Sequence, residues 1–238
     1  MDLVPTFLGA HTLPHEFAAD RAGYVRHVID EMLPACAPLA RFCDVFCDRA
    51  AFTVEEAREI LTAARALGLG LRMHADQLAL TGATALAAEL GVKSADHLDH
   101  ADDASLDALA AAGSVGVLLP GVSFSLRLPY PDAARIAAAG VPIALATDAN
   151  PGSSFVLTMP FVIALAVYEM GMSPGEAVLA ATLGGARALG LEDRGHITQG
   201  ALGDLVILAA ERHVALAYQP DTPHVSHVVK AGRPHATP

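Results

Sequence analysis

Short apolar runs alternate with longer amphipathic stretches along most of this sequence, and this alternation limits the possible folds more than any other feature. A short apolar run predicts a buried strand, whereas apolar residues recurring with a helical period predict a helix. Repeated strand–helix units predict a parallel sheet covered by helices. The predicted strands are Thr6–His11, Phe42–Phe46, Leu69–His74, Ser94–Leu98, Val115–Leu119 and Ile143–Asp148.

Two capping boxes place helix starts within this pattern. Thr53 is followed by Glu56, and Ser173 by Glu176, at the spacing that lets a hydroxyl and a carboxylate each accept a backbone N–H of the first turn. Gly68 predicts the end of the first of these helices. Further helices are predicted at 24–33, 81–91, 103–113 and 130–140.

Two architectures fit such a sheet: an open, doubly wound sheet and a closed (β/α)8 barrel. No glycine-rich phosphate-binding motif follows a predicted strand, which weakens the nucleotide-binding form of the open sheet. A barrel builds its active site at the C-terminal ends of its strands. Side chains suited to chemistry stand at those ends and favour the barrel: His11, His74, His97 and Asp148.

The pattern changes after residue 191. Short segments at 195–200, 204–208 and 225–229 predict strands of a small appended unit. We therefore predict a barrel-type domain over residues 1–191 and part of a small β-domain over residues 192–238.

Net charge excludes two classes of partner. The formal charge of −11 leaves no basic stripe for nucleic-acid phosphates or for an anionic membrane surface. The uncharged stretch 149–168 is interrupted by Pro151 and Pro160, so we predict a loop and a buried helix there and not a membrane span.

Cysteine usage points to a reducing compartment. Cys36, Cys43 and Cys47 are an odd number of thiols in a chain of 238 residues, which does not suggest a disulfide framework. Residues 1–14 lack the basic start and apolar core of a secretory signal. We expect buried reduced thiols and a cytoplasmic protein.

The histidines and the aspartate at strand ends could carry chemistry. His74 and Asp148 could reach a metal at a barrel mouth, although a catalytic zinc usually takes three or more protein ligands, and a structural His74 is the alternative. His97 could bond a substrate carbonyl or move a proton, or be tied to Asp96. His11 could bind a polar substrate group or cap its strand.

The segment after Asp148 has the composition of a ligand-binding loop. Gly152 would let the backbone approach a ligand closely, while Asn150 and Ser153 offer hydrogen-bond donors and acceptors. A plain connecting loop is the alternative.

Six segments together resemble imidazolonepropionase, a family of the amidohydrolase superfamily. His74–Gln77 or Ala146–Asp148 alone would indicate only the superfamily. The resemblance implies an α/β fold, an incomplete TIM (β/α)8 barrel of amidohydrolase type that comprises strands 3–8, with part of a small β-sandwich domain at the C-terminus. The segments are Thr6–His11, Phe42–Cys47, His74–Gln77, Ser94–Leu98, Leu118–Gly121 and Ala146–Ser154.

The resemblance also implies a function. It implies one divalent metal, zinc or iron, and hydrolysis of the cyclic amide of 4-imidazolone-5-propanoate to N-formimidoyl-L-glutamate in histidine degradation. It further implies a small-molecule substrate and a homodimer.

The resemblance assigns roles by position. His74 and Asp148 would be metal ligands, and His97 would assist beside the scissile amide. Gln77 stands where some relatives carry Glu; it would contact substrate or the attacking water. Because Gln cannot accept the proton, Asp148 or His97 would have to do so. The implied substrate-binding residues are His11, Gln77, Asn150, Gly152 and Ser153.

One family feature is absent from the 238 residues: the His-x-His of the first barrel strand, which supplies the other metal ligands. Counting back from Asp148 on the eighth strand places His74 on the fifth and the strand ending at His11 third. The resemblance therefore implies an N-terminally truncated chain that binds metal weakly and has little or no activity alone. The alternatives are another amidohydrolase, such as a cyclic amidase, deaminase or deacetylase, or a non-catalytic barrel fragment.

Overall fold

The computed structural model describes residues 2–49 and 51–235. Within these residues, six strands follow one another in sequence order in one sheet, as the apolar runs predicted. The first four pair in parallel, which confirms the strand–helix–strand interpretation. The strands are β1 (Thr6–Ala10), β2 (Phe42–Cys47), β3 (Gly70–Ala75), β4 (Ser94–His97), β5 (Val115–Leu118) and β6 (Ile143–Leu145).

Helices separate most of these strands. Short 3-10 turns occur at His15–Phe17 and Ala37–Leu39, and π-helical turns at Val28–Met32 and Ala180–Gly184. The α-helices are α1 (Arg21–His27), α2 (Leu33–Cys36), α3 (Val54–Ala66), α4 (Ala83–Leu90), α5 (Asp103–Ala111), α6 (Pro120–Leu126), α7 (Ala133–Ala138), α8 (Met159–Tyr168), α9 (Pro174–Leu179), α10 (Gly185–Ala188) and α11 (Ala215–Tyr218).

The described residues form two compact units. The N-terminal unit comprises Asp2–Gly116 together with Ala139–Val141. The C-terminal unit comprises Val117–Ala138 and residues 142–235. The predicted boundary between residues 191 and 192 is a different division of the chain, based on sequence pattern, and stays a prediction.

Helix α3 shows how the sequence builds the N-terminal unit. The Thr53 hydroxyl accepts the backbone N–H of Glu56, and the Glu56 carboxylate accepts that of Thr53, so the predicted capping box is confirmed. Ile60 and Leu61 are fully buried on the face toward the sheet. Gly68 follows the helix at φ 82°, a conformation that glycine adopts at little cost.

Side-chain alternation gives β3 one apolar face and one polar face. Leu71 and Met73 are buried, and Arg72 and His74 point to the opposite side. Parallel register aligns Asp44 of β2 with Arg72, so these residues lie on the same face. Asp44 and His74 therefore lie on one polar face of β2 and β3, with His74 two residues beyond the position level with Asp44.

The C-terminal unit contains β6, α6 to α11 and an antiparallel sheet. The chain backbone packs closely at Gly184, where a Cβ would collide with the carbonyl of Ile143 in β6. The predicted strands at 204–208 and 225–229 are confirmed, whereas 195–200 forms bends and turns and no strand. Within the described residues this sheet has the order β7 (Leu205–Leu208), β8 (Val225–Lys230) and β9 (Arg233–His235).

The uncharged stretch 149–168 forms a loop and then α8, as predicted. Pro160 lies at the start of α8, where its missing N–H costs no helical hydrogen bond. Among the helices that the structure describes, none is long and apolar enough to cross a membrane.

Candidate active site

The N-terminal unit brings together the three histidines that the sequence placed at strand ends. His11 follows β1 directly, His74 is the last but one residue of β3, and His97 ends β4. The ring centroids of His11 and His74 are 4.6 Å apart, and those of His74 and His97 are 5.1 Å apart. Three signals far apart in sequence therefore form one cluster.

His97 reaches this cluster through an unusual backbone conformation. It is in register with Ala75, whose side chain points to the face of the sheet opposite His74. At φ 77°, His97 departs from the extended conformation, and its ring lies beside His74. The turn at the end of β4 thus redirects this side chain toward the other histidines.

Asp44 also belongs to the cluster, although no sequence motif singled it out. Its carboxylate lies on β2 and is 3% exposed. Nδ1 of His74 lies 2.9 Å from Asp44 Oδ1, and Nε2 of His11 lies 3.5 Å from the same oxygen. The only signal in the sequence was an aspartate inside an apolar strand. Such an aspartate is buried by its strand, and a buried carboxylate needs polar partners.

The electrostatics of the cluster favour an ionised Asp44. Burial opposes its ionisation, but the charge of His74, its hydrogen bond and the nearby ring of His11 outweigh burial and hold the pKa of Asp44 well below its usual range. Burial, together with the Asp44 charge, raises the pKa of the neighbouring Asp96 to about 6. The cluster therefore combines one carboxylate held in its ionised form with a second, buried carboxylate whose pKa is raised.

His97 is neutral in this environment. Burial, followed by the proximity of His74, lowers its pKa well below the usual value for histidine. A neutral imidazole offers one N–H donor and one acceptor nitrogen at physiological pH. His97 can therefore bond a substrate carbonyl or accept a proton, but it does not act as a resident cation.

Left-handed backbone conformations occur at two predicted site residues, His97 and Asp148, and next to a third, Gln77. Asp76 has φ 49°, His97 φ 77° and Asp148 φ 48°, and none of them is glycine. Each such residue costs on the order of 1–3 kcal/mol, and such residues concentrate at functional sites. Asp76 directly precedes Gln77. The segments that follow β3, β4 and β6 are therefore candidate functional segments.

Gln77 is held between two anchored neighbours. The Asp76 carboxylate is fully buried and accepts hydrogen bonds from the backbone N–H groups of Thr81 and Thr84. On the other side, the N–H of Leu78 donates to Asp48 at 2.8 Å. The backbone of Gln77 is thereby fixed at the end of β3, with its side chain partly exposed.

In the C-terminal unit, Asp148 lies three residues beyond β6 and opens a tightly bonded loop. The Asn150 amide donates to the carbonyl of Asp148 at 2.7 Å and accepts the N–H groups of Gly152 and Ser153 at 2.9 and 2.8 Å. The hydroxyl of Ser154 closes the loop on the carbonyl of Thr147. Asn150 therefore organises the loop through bonds within it, which its sequence position did not reveal.

The donor set in the N-terminal unit suits a divalent metal. His11, Asp44 and His74 each offer a ligand atom, and these atoms lie within 4.8 Å of one another. Among the described residues, Nε2 of His11 is a buried nitrogen without a well-aligned hydrogen bond. Imidazole nitrogen and carboxylate oxygen are the ligand types that zinc and iron accept. The residues present therefore fit a metal of this kind.

Comparison with known proteins agrees with this chemistry. The profile of the amidohydrolase family matches residues 45–234. The chain is 54% identical over 228 residues to an imidazolonepropionase of Streptomyces avermitilis, covering 96% of this chain and 55% of that protein. It is 54% identical over 235 residues to an imidazolonepropionase of Salinispora arenicola, covering 98% of this chain and 60% of that protein.

Solved structures of other proteins share the fold of this chain. An adenosine deaminase of Xanthomonas campestris with bound zinc superposes with a TM-score of 0.73 at 21% identity, covering 96% of this chain and 60% of that one. At this identity the likeness concerns the fold alone. The chain thus spans between 55% and 60% of the length of these relatives.

Proposed function

The chain belongs to the amidohydrolase family, and we therefore propose that it serves the metal-dependent hydrolysis of 4-imidazolone-5-propanoate to N-formimidoyl-L-glutamate. The observation that carries this proposal is the cluster of His11, His74 and His97 at adjacent strand ends, in a chain 54% identical to imidazolonepropionases. The reaction opens a cyclic amide by breaking a C–N bond, a step of histidine degradation.

We propose His74 and Asp148 as ligands of one divalent metal, zinc or iron. His74 would bind through Nε2, because its Nδ1 is engaged with Asp44. Such a metal, when bound, lowers the pKa of water and polarises the carbonyl of the substrate. The donor types of the two residues support this assignment.

The remaining residues would orient the substrate and handle protons. His97, neutral and 3% exposed, would bond the ring amide that is cleaved. Gln77 would contact the substrate or the attacking water through its amide, which cannot take a proton. The proton of that water would therefore pass to Asp148 or His97.

Substrate binding would fall to His11 and to the loop after Asp148. His11 would contact a polar group of the substrate. Asn150 holds the loop from within, so we propose that it contributes mainly by presenting Gly152 and Ser153. Preorganised loops of this kind lose little entropy when a ligand binds.

We further propose a cytoplasmic location, a homodimer and a division into two domains for the whole protein. Thiol usage supports a cytoplasmic location. The family resemblance supports a homodimer and a division into a barrel-type domain and a small β-domain near residue 191. Sedimentation of the purified chain tests the homodimer, because it gives the mass of the particle in solution.

A substrate panel tests the proposed reaction. The chain would be incubated with excess Zn²⁺ or Fe²⁺ and with 4-imidazolone-5-propanoate, hydantoin or guanine, and the products identified by mass spectrometry. We expect slow formation of N-formimidoyl-L-glutamate from the first substrate, dependent on added metal, because two ligands hold a metal less tightly than the usual three or more.

The result can contradict the proposal in two ways. Preferred turnover of hydantoin or guanine would assign the chain to another amidohydrolase activity. Product formation that is equal in His74→Ala and in the wild type would remove the proposed site from the reaction. The exposed His100 supplies a control, since His100→Ala should leave the rate unchanged.

A further inference from the structure

We propose that Asp44 is a positioning residue of the active site, whose carboxylate sets the ring orientation and tautomer of His74 and aligns His11 against it. This inference rests on the proposed function for the role of His74. Asp44 was not among the residues that the family resemblance assigned. Its contacts with two histidines single it out.

The sheet register explains why Asp44 reaches His74. Asp44 of β2 is aligned with Arg72 of β3, and His74 stands two residues further along β3 on the same face. The carboxylate therefore reaches the His74 ring from the neighbouring strand, at a position level with Arg72. It meets Nδ1 at 2.9 Å, an ordinary length for an N–H···O hydrogen bond.

The chemistry of the pair fixes the tautomer. An ionised carboxylate has no hydrogen to donate, so the bond requires the proton on Nδ1 of His74. In the neutral ring, Nε2 then carries the lone pair that a metal needs. Histidines that ligate metals in proteins are commonly held in this way by a carboxylate on the other nitrogen.

His11 shares the same carboxylate oxygen. Its Nε2 lies 3.5 Å from Asp44 Oδ1, and its ring meets that of His74 at 77°, edge to face. One carboxylate oxygen therefore faces a ring nitrogen of each imidazole. Asp44 thus lies against both the proposed substrate-binding histidine and the proposed metal ligand.

An alternative arrangement is that Asp44, His11 and His74 all ligate the metal directly. The length of the His74 contact favours the hydrogen bond, since Nδ1 and Oδ1 already satisfy each other. The two arrangements differ in what His11 does: it is a metal ligand in one and a substrate-binding residue in the other. Metal affinity of His11→Ala separates them.

Nitrogen NMR of the metal-free chain tests the tautomer. The spectra would be recorded above the pH at which the His74 ring becomes neutral, and there we expect the remaining proton on Nδ1 in the wild type. Asp44→Ala should give a mixture of tautomers. Asp44→Asn, which keeps the size of the side chain, supplies a second variant if Asp44→Ala does not fold, and we expect a weakened preference. An unchanged tautomer in the folded variant would overturn the proposal.

The matched control is Asp48→Asn. Asp48 is equally buried at 3% exposure, but its oxygens accept the backbone N–H groups of Arg49 and Leu78. The control should lose stability yet keep the Nδ1–H form of His74. Loss of the tautomer in this control as well would mean that general loosening of the sheet, and not the carboxylate of Asp44, sets the ring.

Metal titration of the same variants completes the test. We expect Asp44→Ala to lower affinity for Zn²⁺ by about 10- to 100-fold and His11→Ala to leave it near the wild-type value. Equal losses of Zn²⁺ affinity in His11→Ala and His74→Ala would indicate the alternative arrangement, in which His11, Asp44 and His74 all ligate the metal. That result would overturn the positioning role of Asp44. If His74→Ala binds Zn²⁺ as the wild type does, the proposed function fails, while the tautomer result still decides the role of Asp44.

Discussion

The carboxylate of Asp76 accepts the backbone N–H of Thr84 at 3.0 Å and so ties the end of β3 to the first turn of α4. The same carboxylate accepts both the N–H and the hydroxyl of Thr81. Gly82 precedes α4 and offers no side chain as a cap. Asp76 therefore supplies the acceptors that the start of this helix needs.

Asp76→Ala should destabilise the chain and disturb Gln77. Removing the carboxylate leaves buried N–H groups without partners, and we expect the free energy of unfolding to fall by roughly 2–4 kcal/mol. Urea unfolding measures the loss. A fall no larger than that of Asp107→Ala, at an exposed position on α5, would contradict the anchoring role.

Gln77→Glu tests the position of Gln77 beside the attacking water. A carboxylate there could take the proton that Gln77 cannot, and general-base catalysis contributes on the order of 10²–10⁴ in rate. We expect hydrolysis of 4-imidazolone-5-propanoate to rise at least several-fold, measured as product per minute with excess metal. A fall as large as that in Gln77→Ala would place Gln77 away from the proton being transferred.

The pH dependence of stability should carry the signature of Asp99. Burial raises its pKa from the ordinary 3.8 to about 7, and the Asp48 charge adds to the effect. Between these values the folded state binds more protons than the unfolded state. The free energy of unfolding contributed by Asp99 is therefore greatest below the unfolded pKa and falls as pH rises toward the folded pKa.

Asp99→Asn should remove this slope. We expect the variant to gain roughly 1–2 kcal/mol over the wild type at about pH 8 and little near pH 4, after allowance for partial exposure. Urea unfolding at several pH values gives the difference curve. A difference that is constant with pH would show that Asp99 does not titrate as the structure implies.

Thiol reactivity should separate the cysteines. Burial, with help from nearby carboxylates, raises the pKa of Cys43 and of Cys47 to about 12, whereas Cys36 is partly exposed. We expect one fast-reacting thiol with an aromatic disulfide reagent in the native chain and three after unfolding in urea, because the thiolate is the reactive form. The fast phase should vanish in Cys36→Ser; its persistence would mean that a thiol on β2 is open to solvent.

Much of the fold was accessible from sequence because it depends on local signals. Apolar runs located β1 to β6, and the box at Thr53 and Glu56 located α3. Strand-end positions also identified His11, His74 and His97, because parallel strands bring their C-terminal ends together.

Asp44 was not predictable from the same signals. Its neighbours in sequence are apolar, and its partner depends on the register between β2 and β3, which no local pattern encodes. The inward bonds of Asp76 and Asn150 were missed for a related reason, since side chains that stabilise a loop and side chains that bind a ligand have the same composition. The redirected His97 depends on a single backbone angle.

Metal binding by the purified chain is the most direct test of the central claim that His74 and Asp148 hold a metal for hydrolysis. Zn²⁺ would be titrated by calorimetry into the wild type, His74→Ala, Asp148→Ala and the control His100→Ala. We expect weak binding of one ion per chain in the wild type and in His100→Ala, and its loss in His74→Ala and Asp148→Ala. Binding of equal strength in all four proteins would contradict the claim.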